Sequence, residues 1–225
     1  MSTKTPVINR ESVKKDQIRD FFRKNGYEEF LLSDDDLLKS RRRFVPDESL
    51  FDKDIWLYGY GSLIWNPMVE TCETRKVKVY GFHRKFCLKT DIGRGSKQNP
   101  GLMLALQNGG SSHGIALKVR GCDAATELDL LWRREMITGA YVPTRVTGHT
   151  EKGKIDMIAF VINKNHFSYE NSLTEKETAK MIAIAKGFVG TSKEYLDNTI
   201  KSLKTLGMED RYLNRLQNYI VENNF

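Results

Sequence analysis

Cysteine is scarce in this chain of 225 residues, with only three, Cys72, Cys87 and Cys122. An odd number without CxxC spacing argues against a disulfide framework and a structural zinc site. Histidine is also sparse. His83, His113, His149 and His166 stand far apart, with no HExxH pair, so nothing in the spacing asks for a metal. No apolar run approaches the roughly 20 residues needed to cross a bilayer. The opening stretch MSTKTPVINRESVKKDQ lacks the apolar centre of a secretory signal. These absences lead us to expect a cytoplasmic protein with no membrane partner.

Positive charge is in excess. Thirty-six Lys and Arg stand against 29 Asp and Glu, for a net charge of +7. The run Lys39 to Arg43 and the segment Arg75 to Lys89 carry much of it. RNP, zinc-finger and basic-zipper patterns are missing, so no nucleic-acid partner is expected. A solvated basic face explains the charge, and its field also attracts acidic small molecules.

Residues 1–50 read as a helical N-terminal extension. Ile18, Phe21 and Phe22 recur at helical spacing and Asn25-Gly26 ends that helix. A second helix starts near Ser33, acidic first and arginine-rich last, and Pro46 marks a linker into a main domain, 51–225. Strand signals follow at 55–60, at 77–88 as one or two strands interrupted at Gly81, and at 102–106, 114–120, 141–147 and 155–162, with a helix over 124–138. The segment Asp91 to Gly101 is a loop by its Gly, Asn and Pro content. The last quarter is helical, with a Thr174/Glu177 capping box, a cap at Ser192 and stops at Gly190 and Gly207. Strands first and helices later predict an α+β fold, whose short strands can close into a small barrel.

Two stretches do not read as scaffold. The first is WLYGYGSLIWNP, Trp56 to Pro67. Its GYGSL lacks the lysine of a P-loop, the third glycine of a dinucleotide fingerprint and the spacing of a nucleophile elbow. Its two glycines permit positive φ or close approach to a ligand, and successive N–H groups in such a turn can bind a carboxylate. Ser62 adds a hydroxyl. A tight turn or bulge between strands accounts for the same residues. The second stretch is ATELDLLWRREMITGAY. On a helix, Leu128, Leu131, Trp132 and Glu135 share one face, so Glu135 lies on an apolar stripe while Glu127 and Asp129 do not. Burial raises a carboxyl pKa, which suits an acid–base residue working near neutrality. A helix-end glutamate reaching solvent, or paired with Arg145 or another cation, fits the spacing too.

Taken in order, GYGSLIWNP, GFHRKFCL, PGLMLAL, LWRREMITGAYVP and FVGTSKEYLDNTIKSLKTLGMED resemble the ChaC family of γ-glutamylcyclotransferases. The resemblance covers roughly residues 54 to 216 and leaves 1–50 unmatched. It implies a small mixed β-barrel with surrounding helices. It also implies an enzyme that cyclises the γ-glutamyl group of reduced glutathione, releasing 5-oxoproline and cysteinylglycine without metal or cofactor. Carried over residue by residue, Gly59, Tyr60, Gly61, Ser62, Leu63 and Ile64 would hold the γ-glutamyl moiety, and Glu135 would be the catalytic glutamate. We add Tyr141 as a hydrogen-bond donor to the substrate. Arg94, in the loop, is placed by its charge alone against the glycine carboxylate. The cysteines are expected to be buried apolar side chains rather than nucleophiles. Another γ-glutamyl substrate, or a non-enzymatic regulator, remains compatible with these residues, and the oligomeric state is not encoded in any pattern.

Overall fold

The computed structural model describes residues 8–45 and 53–225. The expected linker at Pro46 and the division near residue 50 lie outside the described residues. The N-terminal part contains α1 (Arg10–Lys14), α2 (Gln17–Lys24), a 3-10 turn at Glu28–Phe30 and α3 (Asp34–Phe44). The start of α3 follows from its sequence. Ser33 caps it by accepting from the Asp36 amide, with acidic residues in the first turn and arginines in the last, as the helix dipole favours.

The centre is a closed five-stranded barrel, ordered β1-β3-β2-β4-β5. Its strands are β1 (Ile55–Gly59), β2 (Glu73–Thr90), β3 (Gly101–Val119), β4 (Tyr141–Thr150) and β5 (Gly153–Ile162). β1 runs antiparallel to β3 and meets β5 in parallel, which closes the ring. The mixed barrel with helices around it is the α+β architecture expected from the sequence. The strand boundaries differ from the reading. The segments 102–106 and 114–120 are one strand, β3, and its partner β2 is likewise continuous across Gly81. The cause is a bulge. Gly81, Gly109 and Gly110 take positive φ where the β2–β3 register shifts between Tyr80 and Phe82, so the ribbon bends there without ending.

Helix α5 (Gly121–Glu135) follows β3 and packs Leu128, Leu131 and Trp132 into the core. It starts and ends about one turn earlier than its apolar spacing indicates, because Gly121 already joins the helix and Glu135 is its last residue. After β5 come α6 (Glu175–Ile184), α7 (Ser192–Thr205) and α8 (Arg211–Glu222). The Thr174/Glu177 capping box closes at both ends. A two-residue pairing of β6 (Lys186–Gly187) with β7 (Gly190–Thr191) separates α6 from α7, so α6 stops before the expected Gly190. Thr191, not Ser192, caps α7 by accepting from the Glu194 amide. Ser192 instead faces inward and bonds the Arg94 carbonyl. Among the described residues, no helix is long and apolar enough to cross a membrane.

Candidate active site

β1 runs through Tyr60 and Gly61 into a single helical turn, α4 (Ser62–Trp65). Neither Gly59 nor Gly61 takes positive φ, so the freedom expected of them is not what the turn uses. They supply room. A Cβ on Gly59 would lie 2.9 Å from Ile115 Cγ1, and one on Gly61 would lie 2.5 Å from the Tyr195 hydroxyl. The Tyr195 hydroxyl accepts from the Ser62 amide at 3.2 Å. That amide is therefore already engaged rather than free for an anion. The Ser62 hydroxyl accepts from Arg134 Nη2 at 2.8 Å. Beneath the turn, buried Arg84 donates to the Tyr60 carbonyl and to the Asp210 carboxylate, at 2.6 and 2.9 Å. The Tyr60 hydroxyl donates to Phe160 O at 2.7 Å. Each bond fixes the turn from behind, where its backbone polar groups are removed from water.

The turn forms one side of a cavity of about 430 Å³, a size typical of small-molecule sites. Tyr60, Gly61, Ser62, Leu63, Glu135 and Tyr141 all line it. Gly59 and Ile64 are set back. Gly59 packs on Ile115, while Ile64 bonds Gly61 O through its amide and packs its side chain on the core.

Glu135 ends α5 facing this cavity. Its side chain is 13% exposed, and Oε1 lies 3.1 Å from Arg134 Nε. The contact has ion-pair distance but not hydrogen-bond geometry, and Oε1 has no hydrogen-bond partner among the described residues. Burial pushes the Glu135 pKa up, and the Arg134 charge opposes that only partly. The suggested partner Arg145 is elsewhere, bonded to Phe44 O. Arg134 also donates to Asn66 O at 2.6 Å, so its guanidinium links the end of α5 to the α4 turn. Trp65 Nε1 and Arg19 Nε are also buried without a hydrogen-bond partner, and both residues line the same cavity. Buried polar atoms are normally paired, so these atoms mark a place built to meet polar groups from outside the chain.

Three phenols and a guanidinium complete the site. The Tyr141 hydroxyl donates to Leu104 O at 3.0 Å, so its hydrogen is committed to the barrel. Burial raises the Tyr60, Tyr141 and Tyr195 pKa values, and the neighbouring Glu135 charge adds to the rise in all three. Tyr195 was missed by the sequence reading, as was Arg134. The one available signal was a tyrosine amid the apolar stripe of α7. Arg94 is buried at the cavity wall, donates to Thr191 O at 2.8 Å, and lies over the rings of Tyr195 and Trp65. Of the cysteines expected to be buried, only Cys87 is, and Cys72 and Cys122 are exposed; burial pushes the Cys87 thiol up to about 12, which makes it inert as a nucleophile.

The family described as ChaC-like protein matches residues 55–223. A glutathione-specific γ-glutamylcyclotransferase of Escherichia coli is 41% identical over 172 residues, covering 76% of this chain and 73% of that protein. The human glutathione-specific γ-glutamylcyclotransferase 1 is 30% identical, over 63% of this chain and 66% of its own length. In fold, the crystal structure of a yeast γ-glutamyl cyclotransferase specific to glutathione is similar with a TM-score of 0.68 at 21% identity, covering 76% of this chain and 96% of that one. The chain belongs to the ChaC-like family.

Proposed function

We propose that this protein degrades reduced glutathione by closing its γ-glutamyl group into 5-oxoproline and releasing cysteinylglycine. The observation that carries the reading is the Glu135 carboxylate, with one buried oxygen that takes no hydrogen bond, in the cavity that the glycine turn borders. The names of the relatives supply the substrate class.

In this reading the turn and its neighbours hold the γ-glutamyl end so that its α-nitrogen faces its own γ-carbonyl. The reaction is intramolecular, so that positioning supplies much of the acceleration. The α-ammonium cannot attack until it loses a proton, and Glu135 takes it. The nitrogen then bonds to the γ-carbon, and the carbonyl oxygen gains the negative charge. When the oxyanion collapses, the bond from the γ-carbon to the cysteinyl nitrogen breaks. The two protons that the α-ammonium gives up in becoming a lactam N–H equal the two that the leaving nitrogen gains in becoming an ammonium. Glu135 carries them one at a time, as base and then as acid. The Tyr195 hydroxyl and Arg134, fixed around Ser62, stabilise charge on the turn side. Tyr141 keeps the barrel edge beside Glu135 in place and offers its hydroxyl oxygen to the substrate. Arg94 takes the glycine carboxylate. This chemistry needs no metal, cofactor or nucleic acid. All three cysteines are free, in keeping with a reducing cytoplasm.

The test is a product assay on the purified protein and its Glu135→Gln variant with reduced glutathione. The reading expects 5-oxoproline and cysteinylglycine in equal amounts from the wild type and neither from the variant. A folded wild type that forms 5-oxoproline from γ-glutamyl-alanine but not from glutathione would move the assignment to another γ-glutamyl substrate.

A further inference from the structure

The family match begins at residue 55, yet the cavity does not stop at the barrel. Val13, Ile18, Phe22, Tyr27 and Phe30 line it from the N-terminal helices. Opposite them stand Ile92 and Phe188, from the β2–β3 loop and the β6–β7 turn. The two sides touch. Phe22 packs edge-on to Phe188 with centroids 6.1 Å apart, and Phe21 approaches the same ring at 4.2 Å. At the rim, Phe30 meets Phe167 at 5.1 Å. This apolar cluster, with Leu130 of α5 at its base, is separate from the barrel core.

The N-terminal side is firmly held. Arg10 donates to both carboxylate oxygens of buried Glu127, at 2.6 and 2.5 Å, and to Met68 O. Arg19 is buried and bonds Asp34 and the Leu32 carbonyl. The Leu32 amide in turn donates to Ile137 O, just past the catalytic helix. Arg10–Glu127 and Arg133–Asp34 tie the segment to the helix that carries Glu135, and Leu32–Ile137 ties it to the residues just after, so the segment is part of the site's shape.

We propose that residues 13–30 form the specificity wall of the active site. They bound the space taken by the cysteinyl side chain and set the size and polarity that the thiol substituent can have. The inference rests on the glutathione reading above. Glu135 and the glycine turn fix the γ-glutamyl end, so the leaving half takes the remaining space, which closes where the two apolar sides meet. A free thiol suits such surroundings. A second tripeptide joined through a disulfide does not, because it would have to pass the Phe22–Phe188 contact that closes the space. A bulky alkyl group on sulfur is excluded by volume alone, since the aromatic contacts leave the two sides already touching.

The experiment compares 5-oxoproline release from glutathione and from S-hexylglutathione, using the full chain and its Phe22→Ala and Phe30→Ala variants. The wild type is expected to favour glutathione, and each variant to raise the kcat/KM ratio for the S-hexyl compound over glutathione at least about tenfold. Phe30→Ala removes a half-buried ring from the rim, so it decides the matter if Phe22→Ala is too unstable to assay. A purely structural role would lower both substrates together. A ratio that stays within about twofold of wild type, or a wild type that accepts both substrates equally, overturns the wall. A wild type that forms 5-oxoproline from neither compound overturns the functional reading itself, and the wall falls with it.

Discussion

Helix α5 carries two buried carboxylates with opposite fates. Glu127, near its middle, is 2% exposed and fully answered: both oxygens take Arg10, and the Glu70 amide adds a third bond at 3.0 Å. Glu135, at its end, has one oxygen with no hydrogen bond at all and a cation close by in poor geometry. The paired charge joins the N-terminal segment to the barrel. The underpaired one is left basic and responsive. Burial alone therefore does not make a carboxylate reactive; what matters is how many of its lone pairs the protein itself satisfies.

The comparison can be broken most directly at Glu135. Glu135→Gln keeps the shape and removes the base, so turnover should fall by roughly 10³-fold or more. A variant within tenfold of wild type would mean another group moves the proton. The pairing at Glu127 makes the complementary prediction for stability. Arg10→Ala leaves a buried carboxylate uncompensated and should cost about 3 kcal/mol in urea unfolding. Adding Glu127→Gln to that variant should restore part of the loss, because the stranded charge is gone. If the double variant is no more stable than Arg10→Ala, the pair is not what holds the segment.

Smaller effects sharpen the contrast. Gly61→Ala would place a methyl carbon 2.5 Å from the Tyr195 hydroxyl, which must then move. A displacement on the order of 1 Å there should reduce kcat by roughly 10²-fold with little change in fold, read by steady-state kinetics and circular dichroism. The last prediction concerns pH. The Glu135 pKa is raised by burial from its ordinary 4.5. The folded state thus holds that proton more tightly than the unfolded chain. The wild type loses stability from this group as pH rises from about 4.5 through the raised value. Glu135→Gln has no such loss. Its Tm should match the wild type below that window and exceed it above, and a difference that does not change with pH would mean the carboxyl is not held protonated by burial.

The barrel and the place of Glu135 on the inward face of α5 were legible for a physical reason. Alternation and helical spacing are local, and Leu128, Leu131 and Trp132 lie within one or two turns of Glu135. The partners were not legible. Nothing near Glu127 announces Arg10, and nothing near Ser62 announces Tyr195, because those contacts join distant parts of the chain. The glycines were read for their dihedral freedom, whereas Gly59 and Gly61 serve clearance against side chains that only the fold brings there. Conversely, Gly81, Gly109 and Gly110 do use positive φ, and their bulge joined strands that the sequence pattern had kept apart. Which of these glycines is a hinge and which is a gap depends on neighbours, not on spacing.

The cavity takes one wall from Phe22 and another from Tyr195. On a ribosome that adds roughly 5–20 residues per second, the first is made on the order of ten seconds before the second. During that interval the catalytic helix can form and receive the N-terminal segment, yet the Ser62 amide still lacks its tyrosine. The cavity thus gains its last wall residue, Tyr195, only when α7 seats.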